Sequence, residues 1–246
     1  MEGETKQQKD RLLPASILIA GILISVSVIY STGKKSLEGV KLQGSVEGTL
    51  VASVGPEKMA EVTSADHIRG DAKAPVVVVE FSDLECPFCK VFHGTMQTIM
   101  KEYEGEVAWV YRHFPLDSLH PKARKEAEAT ECAAELGGND AFWKYMDRLF
   151  ELTPSNNGLD PNLLPQIAEE TGLDKAKFES CLRSGKQTEK IQKQYEDALA
   201  SGAKGTPYSV VITKNKERYA VPAALPLEDS AQGPGMRSVI EAALKK

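Results

Sequence analysis

The sequence has no excess of positive charge and few cysteines and histidines, the residues that most often bind zinc. Its 246 residues include 30 lysines and arginines against 35 acidic residues, a net charge of −5. No stretch is basic enough to form a nucleic-acid-binding surface. There is no second C-x-x-C motif to complete a four-ligand zinc site, and the four histidines do not stand at metal-ligand spacing: His67, His93, His113 and His120. We therefore expect neither a nucleic-acid partner nor a metal or other bound cofactor.

Charge is absent from residues 12–33, where most side chains are Ile, Leu, Val, Ala or Ser. A helix of this length is about 33 Å long, which is enough to span a bilayer. The alternative is a cleaved signal peptide, but the run ends in Tyr30-Ser31-Thr32-Gly33 without the A-x-A pattern of a cleavage site. We therefore predict an uncleaved transmembrane anchor that follows a polar tail of residues 1–11.

The rest of the chain is predicted to form a linker and one folded domain. Residues 34–65 are rich in Gly, Ser, Val and Glu and contain few large apolar residues, as a tether would. The domain is predicted at residues 66–246. Lysines flank the anchor on both sides, so placing the domain outside the cytoplasm depends on its cysteines as much as on these charges. An even number of cysteines, four, fits an oxidising compartment.

The C-x-x-C motif stands where a predicted strand ends and a predicted helix begins. Residues 76–81 form an apolar, β-branched run typical of a buried strand, and residues 88–103 carry apolar side chains at helical spacing. Cys86 lies between them. Pro87 occupies the first helical position, where a backbone N–H is not needed. The free N–H groups and the positive end of the helix dipole stabilise a thiolate at this position.

This placement predicts a redox-active pair of thiols. Cys86 is predicted to have a depressed pKa and to be the nucleophile. Cys89, one helical turn further on, is predicted to be the buried resolving thiol. The alternatives are half of a zinc site, which needs two more ligands, and a structural disulfide. The strand-and-helix context favours the redox interpretation.

Glu80 is the charged residue within the first predicted strand. A buried carboxylate here would have a raised pKa and could pass a proton to or from the resolving cysteine. The alternative is a position open to water. The alternation of residues along the strand does not decide between the two.

The remaining pattern predicts a helical block inserted between strands, at about residues 117–202. A second strand precedes the block, and a Thr206-Pro207 turn, two further strands and a closing helix follow it. His93, one turn beyond Cys89, is expected to be partly exposed. The predicted strands are residues 106–114, 208–213 and 218–221, and the predicted helices are residues 121–136, 140–152, 160–171, 174–184, 187–200 and 236–244.

This order of elements resembles that of the thioredoxin-like DsbA family, and the motifs agree with it. The resemblance covers residues 66–246 and is closest to bacterial DsbA-like proteins tethered by an N-terminal helix. It implies an α/β thioredoxin-like fold with an all-helical insertion, preceded by one transmembrane helix. The motifs that carry it are Glu80-Phe81-Ser82-Asp83-Leu84-Glu85-Cys86-Pro87-Phe88-Cys89, Tyr111-Arg112-His113-Phe114-Pro115-Leu116 and Gly205-Thr206-Pro207.

The resemblance also implies roles for individual residues. Cys86 would attack and Cys89 would resolve the mixed disulfide. Pro207 would be cis and packed beside Cys86, and the Thr206 backbone would bind an extended substrate. Glu80 would be the buried acid that thioredoxin-like proteins have at this spacing.

The two residues between the cysteines, Pro87 and Phe88, are assigned to substrate binding with Thr206. Strong oxidants of the family have His as the second of these residues. This sequence has Phe88 there, so no imidazolium at this place can stabilise the Cys86 thiolate. The proline-rich stretch of residues 222–234 also fits the family less well.

The resemblance implies a membrane-anchored thiol-disulfide oxidoreductase that forms disulfides in exported proteins. Its domain would lie at the periplasmic or extracellular face of the cell membrane. Its substrates would be reduced exported proteins, and a DsbB- or VKOR-like membrane oxidoreductase would reoxidise it. No cofactor is needed, because the two sulfurs carry the chemistry. The alternatives are a reductase or isomerase that uses the same pair, and a metal-binding or chaperone module with a thioredoxin fold.

Cys132 and Cys181 form a second pair, on the first and fourth predicted helices of the insertion. Two interpretations stay open, namely separate buried thiols and a structural disulfide. An extracytoplasmic setting favours the disulfide, and some relatives have such a bridge in the insertion. A redox role is disfavoured because neither cysteine begins a helix.

Overall fold

The computed structural model describes residues 58–246. The predicted anchor lies outside them, and none of the helices in this described part is long and apolar enough to cross a membrane. The strands of the described part are β1 (His67–Arg69), β2 (Val76–Ser82), β3 (Val107–His113), β4 (Tyr208–Ile212) and β5 (Arg218–Val221). Its helices are α1 (Pro87–Glu102), α2 (Ala123–Leu152), α3 (Leu163–Glu170), α4 (Lys175–Ser184), α5 (Thr188–Ala200) and α6 (Met236–Leu244).

The strands form one sheet with the order β1-β3-β2-β4-β5. β2 and β3 are parallel, whereas β4 pairs antiparallel with β2 and β5 pairs antiparallel with β4. The edge strand β1 pairs antiparallel with β3. The predicted strands correspond to β2, β3, β4 and β5. The sequence prediction lacks β1, because a strand of 3 residues is too short to show an alternating pattern.

The central strands β2 and β3 are covered on both faces. On one face, Val78 and Trp109 pack with α1, α6 and the helical insertion. On the other face, Val79 and Val110 pack with Ala198 of α5. This double coverage explains why β2 and β3 are apolar along almost their whole length. It also means that a polar side chain in either strand is removed from water.

The helices α2 to α5 lie between β3 and β4, which confirms the predicted helical insertion. α2 is kinked at Gly138, whose φ of 74° lies in the left-handed region, so the two helices predicted here meet without a loop. α3 begins at Leu163, later than predicted, because residues 160–162 form a turn. α4 begins with a side-chain cap from Asp174 and ends at Gly185, with a φ of 65°.

A disulfide between Cys132 and Cys181 joins α2 to α4 across a Cα–Cα distance of 5.8 Å. Of the two interpretations left open by the sequence, the structural disulfide is therefore confirmed. Both cysteines belong to the main apolar core, and the bridge closes a chain segment with a sequence separation of 49. It holds together two helices of the insertion that are far apart along the chain.

The buried Arg112 side chain fixes the segment that precedes β1. Its guanidinium group donates to both carboxylate oxygens of Asp66 at 2.8 and 3.0 Å and to Asp197 of α5 at 2.7 Å. It also donates to the backbone carbonyls of Ala60 and Glu61 at 3.0 and 3.1 Å. Residues ahead of Asp66 therefore pack on the sheet and on α5.

We predict that removing the bridge with the double variant Cys132→Ala/Cys181→Ala lowers the free energy of unfolding by about 4 kcal/mol, because the unfolded chain regains the entropy of a long loop. The measurement is urea unfolding of the full chain without reductant. The matched control is Cys86→Ala/Cys89→Ala, which removes the pair that closes a very short loop. Equal unfolding midpoints for the parent and the first variant would contradict this account of the insertion.

Candidate active site

Cys86 stands at the junction that the sequence predicts between β2 and α1. It is the residue before the first turn of α1, with extended backbone angles of φ −76° and ψ 122°, and Pro87 begins the helix. The Cys86 side chain is 4% exposed, and Cys89 within the first turn is completely buried. Cys86 therefore lies nearer to the surface than Cys89, as expected for an attacking and a resolving cysteine.

The loop that precedes β4 faces Cys86. The Sγ atom of Cys86 lies 3.5 Å from the carbonyl oxygen of Thr206, and the peptide bond between Thr206 and Pro207 is cis. A groove of about 630 Å³ begins at this loop, and the 65% exposed side chain of Phe88 forms part of its wall. Small apolar residues also line this groove, namely Ala220, Pro222, Ala223 and Ala224.

The surroundings of Cys86 stabilise its thiolate. A hydrogen bond from the Cys89 thiol is the main cause that lowers the pKa of Cys86 to about 6; burial opposes it. The Thr206 side chain and the backbone N–H groups of Cys89 and Phe88 lower this pKa further. The last two donors belong to the first turn of α1, as expected for a thiolate at a helix N-terminus.

Cys89 has the opposite environment. Burial raises the pKa of its thiol well above the usual value, and the negative charges of Cys86 and Glu80 raise it further. The Asp83 N–H, 3.5 Å from Cys89 Sγ, opposes these effects only weakly. At neutral pH the reduced pair therefore consists of a thiolate at Cys86 and a protonated thiol at Cys89.

Glu80 is completely buried, so the interpretation as a position open to water is wrong. Burial raises the pKa of Glu80 to about 7, against the lowering effects of the nearby Ser82 hydroxyl group and of the hydrogen bond from Trp109, whose indole nitrogen lies 2.9 Å from the carboxylate. The charge on Cys86 raises it further. A carboxyl group with this pKa next to the Cys89 thiol can gain or lose a proton near neutral pH.

Three further buried acids surround the motif and are not among the predicted site residues. Asp83 is 1% exposed, Glu85 is fully buried, and Glu126 of α2 is 2% exposed. The Asp83 carboxylate accepts from the N–H groups of Leu116 at 2.7 Å and Glu85 at 2.8 Å. Asp83 and Glu85 stand next to the cysteines in the sequence, but nothing in the sequence marks Glu126.

The structure corrects the expectation that His93 is partly exposed. His93 is 3% exposed, and its Nε2 atom lies 2.7 Å from the Asp147 carboxylate of α2. The ring packs on Trp109 and Phe150 at centroid distances of 4.9 and 4.6 Å. The side of α1 that carries His93 is covered by α2, which a pattern read along α1 alone does not reveal.

The arrangement supports thiol–disulfide exchange, because a stabilised thiolate at the N-terminus of α1 precedes a completely buried thiol and a buried carboxyl group that titrates near neutral pH. Among residues 58–246, no group of three or more His, Cys, Asp or Glu side chains is arranged to hold a metal ion.

Comparison with known proteins agrees with this geometry. A family model described as Thioredoxin matches residues 62–222. The chain belongs to the thioredoxin family. A curated relative of this thioredoxin-family chain is the Na(+)/H(+) antiporter NhaA 3 of Salinispora tropica, 36% identical over 168 residues that make up 68% of this chain and 24% of that protein. The chain thus spans about a quarter of the length of the curated relatives that it matches.

Solved structures place the chain more narrowly within the thioredoxin family. DsbA2 of Pseudomonas aeruginosa is 28% identical with a TM-score of 0.62, and the match covers 76% of this chain and 98% of DsbA2. Oxidised BdbD of Bacillus subtilis has the same fold, with 23% identity, a TM-score of 0.63, and coverage of 76% and 98%. The structural neighbours are DsbA-type oxidoreductases, which confirms the resemblance to the DsbA family.

We predict that iodoacetamide labels Cys86 of the reduced chain with a rate that is half-maximal near pH 6, because the reactive species is a thiolate whose pKa is about 6. Labelling rises with pH through this value. In Cys89→Ala the midpoint moves to higher pH, since the hydrogen bond with the largest effect is lost. Peptide mass analysis measures the rate at each cysteine. A midpoint near the ordinary thiol value of about 8.5 would contradict the prediction.

We predict that Glu80→Gln makes the folded domain less sensitive to high pH. The pKa of Glu80 rises from 4.5 to about 7 on burial. Glu80 therefore does not lower the free energy of unfolding below pH 4.5, and this free energy decreases as the pH rises from there through about 7. Glutamine keeps the acceptor for Trp109 and carries no charge. The variant should gain up to about 3 kcal/mol over the parent between about pH 4.5 and about pH 8.

Urea unfolding at the two pH values measures this gain. Glu106→Gln is the control, because Glu106 is exposed immediately before β3. A gain for Glu80→Gln no larger than that of the control would contradict the prediction, because it would show that ionising the buried Glu80 does not destabilise the folded domain.

Proposed function

We propose that this chain is an extracytoplasmic protein disulfide oxidoreductase that transfers its Cys86–Cys89 disulfide to reduced exported proteins. The observation that carries the proposal is the contrast between the two thiols. Cys86 lies at the N-terminus of α1 with a pKa of about 6, whereas the pKa of buried Cys89 is raised. The same surroundings therefore stabilise the thiolate of Cys86 and disfavour the thiolate of Cys89.

The contrast between the thiols bears on the direction of exchange. Stabilising the Cys86 thiolate stabilises the reduced form of the pair, and a pair whose reduced form is stabilised is an oxidant toward other thiols. It also makes Cys86 the better leaving group when a mixed disulfide is resolved by the substrate, because a thiol of low pKa leaves faster. Both effects favour disulfide donation over disulfide reduction.

The reaction begins when a substrate thiolate attacks Cys86 Sγ of the oxidised pair. A substrate–Cys86 disulfide forms, the Cys86–Cys89 bond breaks, and the Cys89 thiolate takes up a proton, for which the Glu80 carboxyl group is the neighbouring donor. A second substrate thiolate then attacks the substrate sulfur bound to Cys86, and Cys86 leaves as a thiolate. The substrate loses two electrons and two protons, and the chain gains two electrons and one proton, on Cys89. The other proton passes to solvent, and Glu80 recovers from solvent the proton that it gave to Cys89.

The surface around Cys86 suits an extended peptide. The Thr206 backbone lies beside the sulfur and offers hydrogen-bonding groups, in the manner of strand addition to a sheet edge. The groove next to Thr206 and Pro207 has small apolar walls that accept side chains of an unfolded segment. Phe88 adds an exposed aromatic surface. Reduced, incompletely folded chains present such segments, which supports exported proteins as the substrate class.

The proposal includes a membrane setting. The apolar run at residues 12–33 would anchor the domain outside the cytoplasm. A similar domain in relatives named as Na(+)/H(+) antiporters supports an association with membranes. The reduced pair would be reoxidised by a membrane disulfide donor of the DsbB or VKOR-like type, which removes two electrons from Cys86 and Cys89 in each cycle.

We predict that the Cys86–Cys89 pair of the full chain has a reduction potential nearer to about −120 mV, the value for DsbA, than to about −270 mV, the value for thioredoxin. Equilibration against glutathione, with alkylation of Cys86 and Cys89 read by peptide mass, measures it. A potential near the thioredoxin value would overturn disulfide donation and make the chain a reductase.

Two variants complete this test with a reduced peptide that contains two cysteines. Cys86→Ser should abolish oxidation of the peptide, because the attacked sulfur is absent. Given the oxidised form of the same peptide, Cys89→Ser should accumulate a mixed disulfide at Cys86, because the Cys86 thiolate opens the peptide disulfide and no resolving thiol is present to release it. Oxidation of the peptide by Cys86→Ser at the parent rate would remove Cys86 from the mechanism.

A further inference from the structure

A loop of the helical insertion is attached directly to the residue that precedes Cys86. The carboxylate of Glu85 accepts the N–H groups of Asn157 at 2.5 Å and Leu159 at 3.4 Å. Its backbone carbonyl, part of the peptide bond to Cys86, accepts the N–H of Asn156 at 2.7 Å. The segment of residues 153–159, which joins α2 to α3, is therefore held to the cysteine motif by three hydrogen bonds to one residue.

This loop is held in an unfavourable backbone conformation. Three successive non-glycine residues, Ser155, Asn156 and Asn157, have φ values of 64°, 52° and 64°. Left-handed residues other than glycine cost free energy and persist only where the surroundings enforce them. Besides Glu85, the loop is held by Lys122, whose Nζ atom donates to the carbonyls of Asn157 at 2.7 Å and Leu159 at 2.8 Å.

Glu85 has a second acid as its partner. The side chains of Glu85 and of Glu126 on α2 are both buried and lie within hydrogen-bonding reach of each other, and no N–H or O–H group of residues 58–246 bonds to the Glu126 Oε2 atom. Two charged carboxylates repel each other and cannot share a hydrogen bond, so one of the two carries a proton. Burial raises the pKa of Glu126 to about 9, with Glu85 and Asp83 raising it further and Lys122 opposing them. At neutral pH, Glu126 is therefore the protonated donor and Glu85 the acceptor.

We propose that Glu126 is a positioning residue of the thiol-exchange reaction, and that its hydrogen bond to Glu85 locks the loop of residues 153–159 against the peptide that carries Cys86. The lock matters for the chemistry because the Cys86 thiolate depends on donors within a few ångströms. The backbone N–H groups of Phe88 and Cys89 stabilise it only if the peptide from Glu85 onward stays in place at the start of α1. The proposal rests on Cys86 being the nucleophile.

Groups of both negative and positive charge surround the Glu85–Glu126 pair. Asp83, in the loop after β2, faces Glu126, and its carboxylate lies 3.1 Å from the Nδ1 atom of His120. Lys122, just before α2, supplies the positive charge, and the Tyr145 hydroxyl group of α2 lies within electrostatic reach of Glu126. Once the Glu126 proton is lost at high pH, two adjacent carboxylates face a single lysine, and the bond to Glu85 no longer forms.

The first test compares Glu126→Ala with Glu126→Gln, since the glutamine N–H can replace the carboxyl proton as a donor to Glu85. The readout is the pH titration of the Cys86 thiolate, followed by its ultraviolet absorbance and by iodoacetamide labelling. We expect Glu126→Ala to raise the midpoint and to slow labelling about threefold near pH 6, whereas Glu126→Gln keeps the parent midpoint. Glu128→Ala is the control, because Glu128 is a buried acid of the same helix that bonds to Lys125 and Thr188 instead.

A midpoint for Glu126→Ala equal to that of the parent would overturn the proposal, and so would a shift in Glu126→Gln as large as that in Glu126→Ala. These readouts use the reduced chain without a protein substrate. A reductive direction of turnover would leave them unchanged, so the failure of the proposed function and the failure of this inference are distinguishable.

A second measurement applies even if Glu126→Ala does not fold. Hydrogen exchange at the Asn157 and Leu159 amides reports the two bonds from the loop to Glu85 directly. In the parent chain, we expect their protection to fall about tenfold as the pH passes about 9, relative to amides in the middle of α1. In Glu126→Gln, protection should be kept over the same range. Equal loss of protection in the parent and in Glu126→Gln would refute the lock.

Discussion

The active site is organised around the stabilisation of one negative charge, that of the Cys86 thiolate, at the point where β2 ends and α1 begins. The first turn of α1 supplies N–H groups that have no partner within the helix, and a sulfur at this place receives them. Every other part of the site keeps that arrangement fixed. The sheet fixes the end of β2, the loop before β4 closes one side of the sulfur, and the helical insertion covers the opposite side of α1.

The same constraint explains why so many acids can be buried nearby. A thiolate in front of Glu80, Asp83 and the Glu85–Glu126 pair would be repelled if all of them were charged. Burial keeps the pKa values of Glu80, Asp83 and Glu126 raised, while backbone N–H groups donate to the carboxylate oxygens of Asp83 and Glu85. Negative charge near the sulfurs is therefore limited and changes with pH, which couples proton uptake to the redox state of the pair.

The sequence predicted correctly those features that depend only on residues close together along the chain. The C-x-x-C motif, Pro87 at the start of α1 and the order of elements needed only neighbouring residues, and the structure agrees with them. Glu80 could not be settled, because a strand covered on both faces shows no alternation. His93 was expected to be partly exposed and is buried, since Asp147 and Phe150 come from the insertion. Nothing marked Glu126, because its partner Glu85 is distant along the chain and meets it only after the insertion folds over α1.

The residue at position 88 shows how the chain manages without a histidine between its cysteines. The groups that lower the pKa of Cys86 are the Cys89 thiol, the Thr206 side chain and backbone N–H groups, so the side chain of residue 88 contributes nothing to the thiolate. Its backbone is used instead, and any residue type would supply that N–H. The side chain is then free to serve another purpose, and Phe88 places 65% of an aromatic surface in water at the edge of the groove. The exposed ring adds an apolar surface to the lining of the groove beside Cys86. Under the proposed function, the backbone of residue 88 stabilises the sulfur and its side chain is available to contact the substrate.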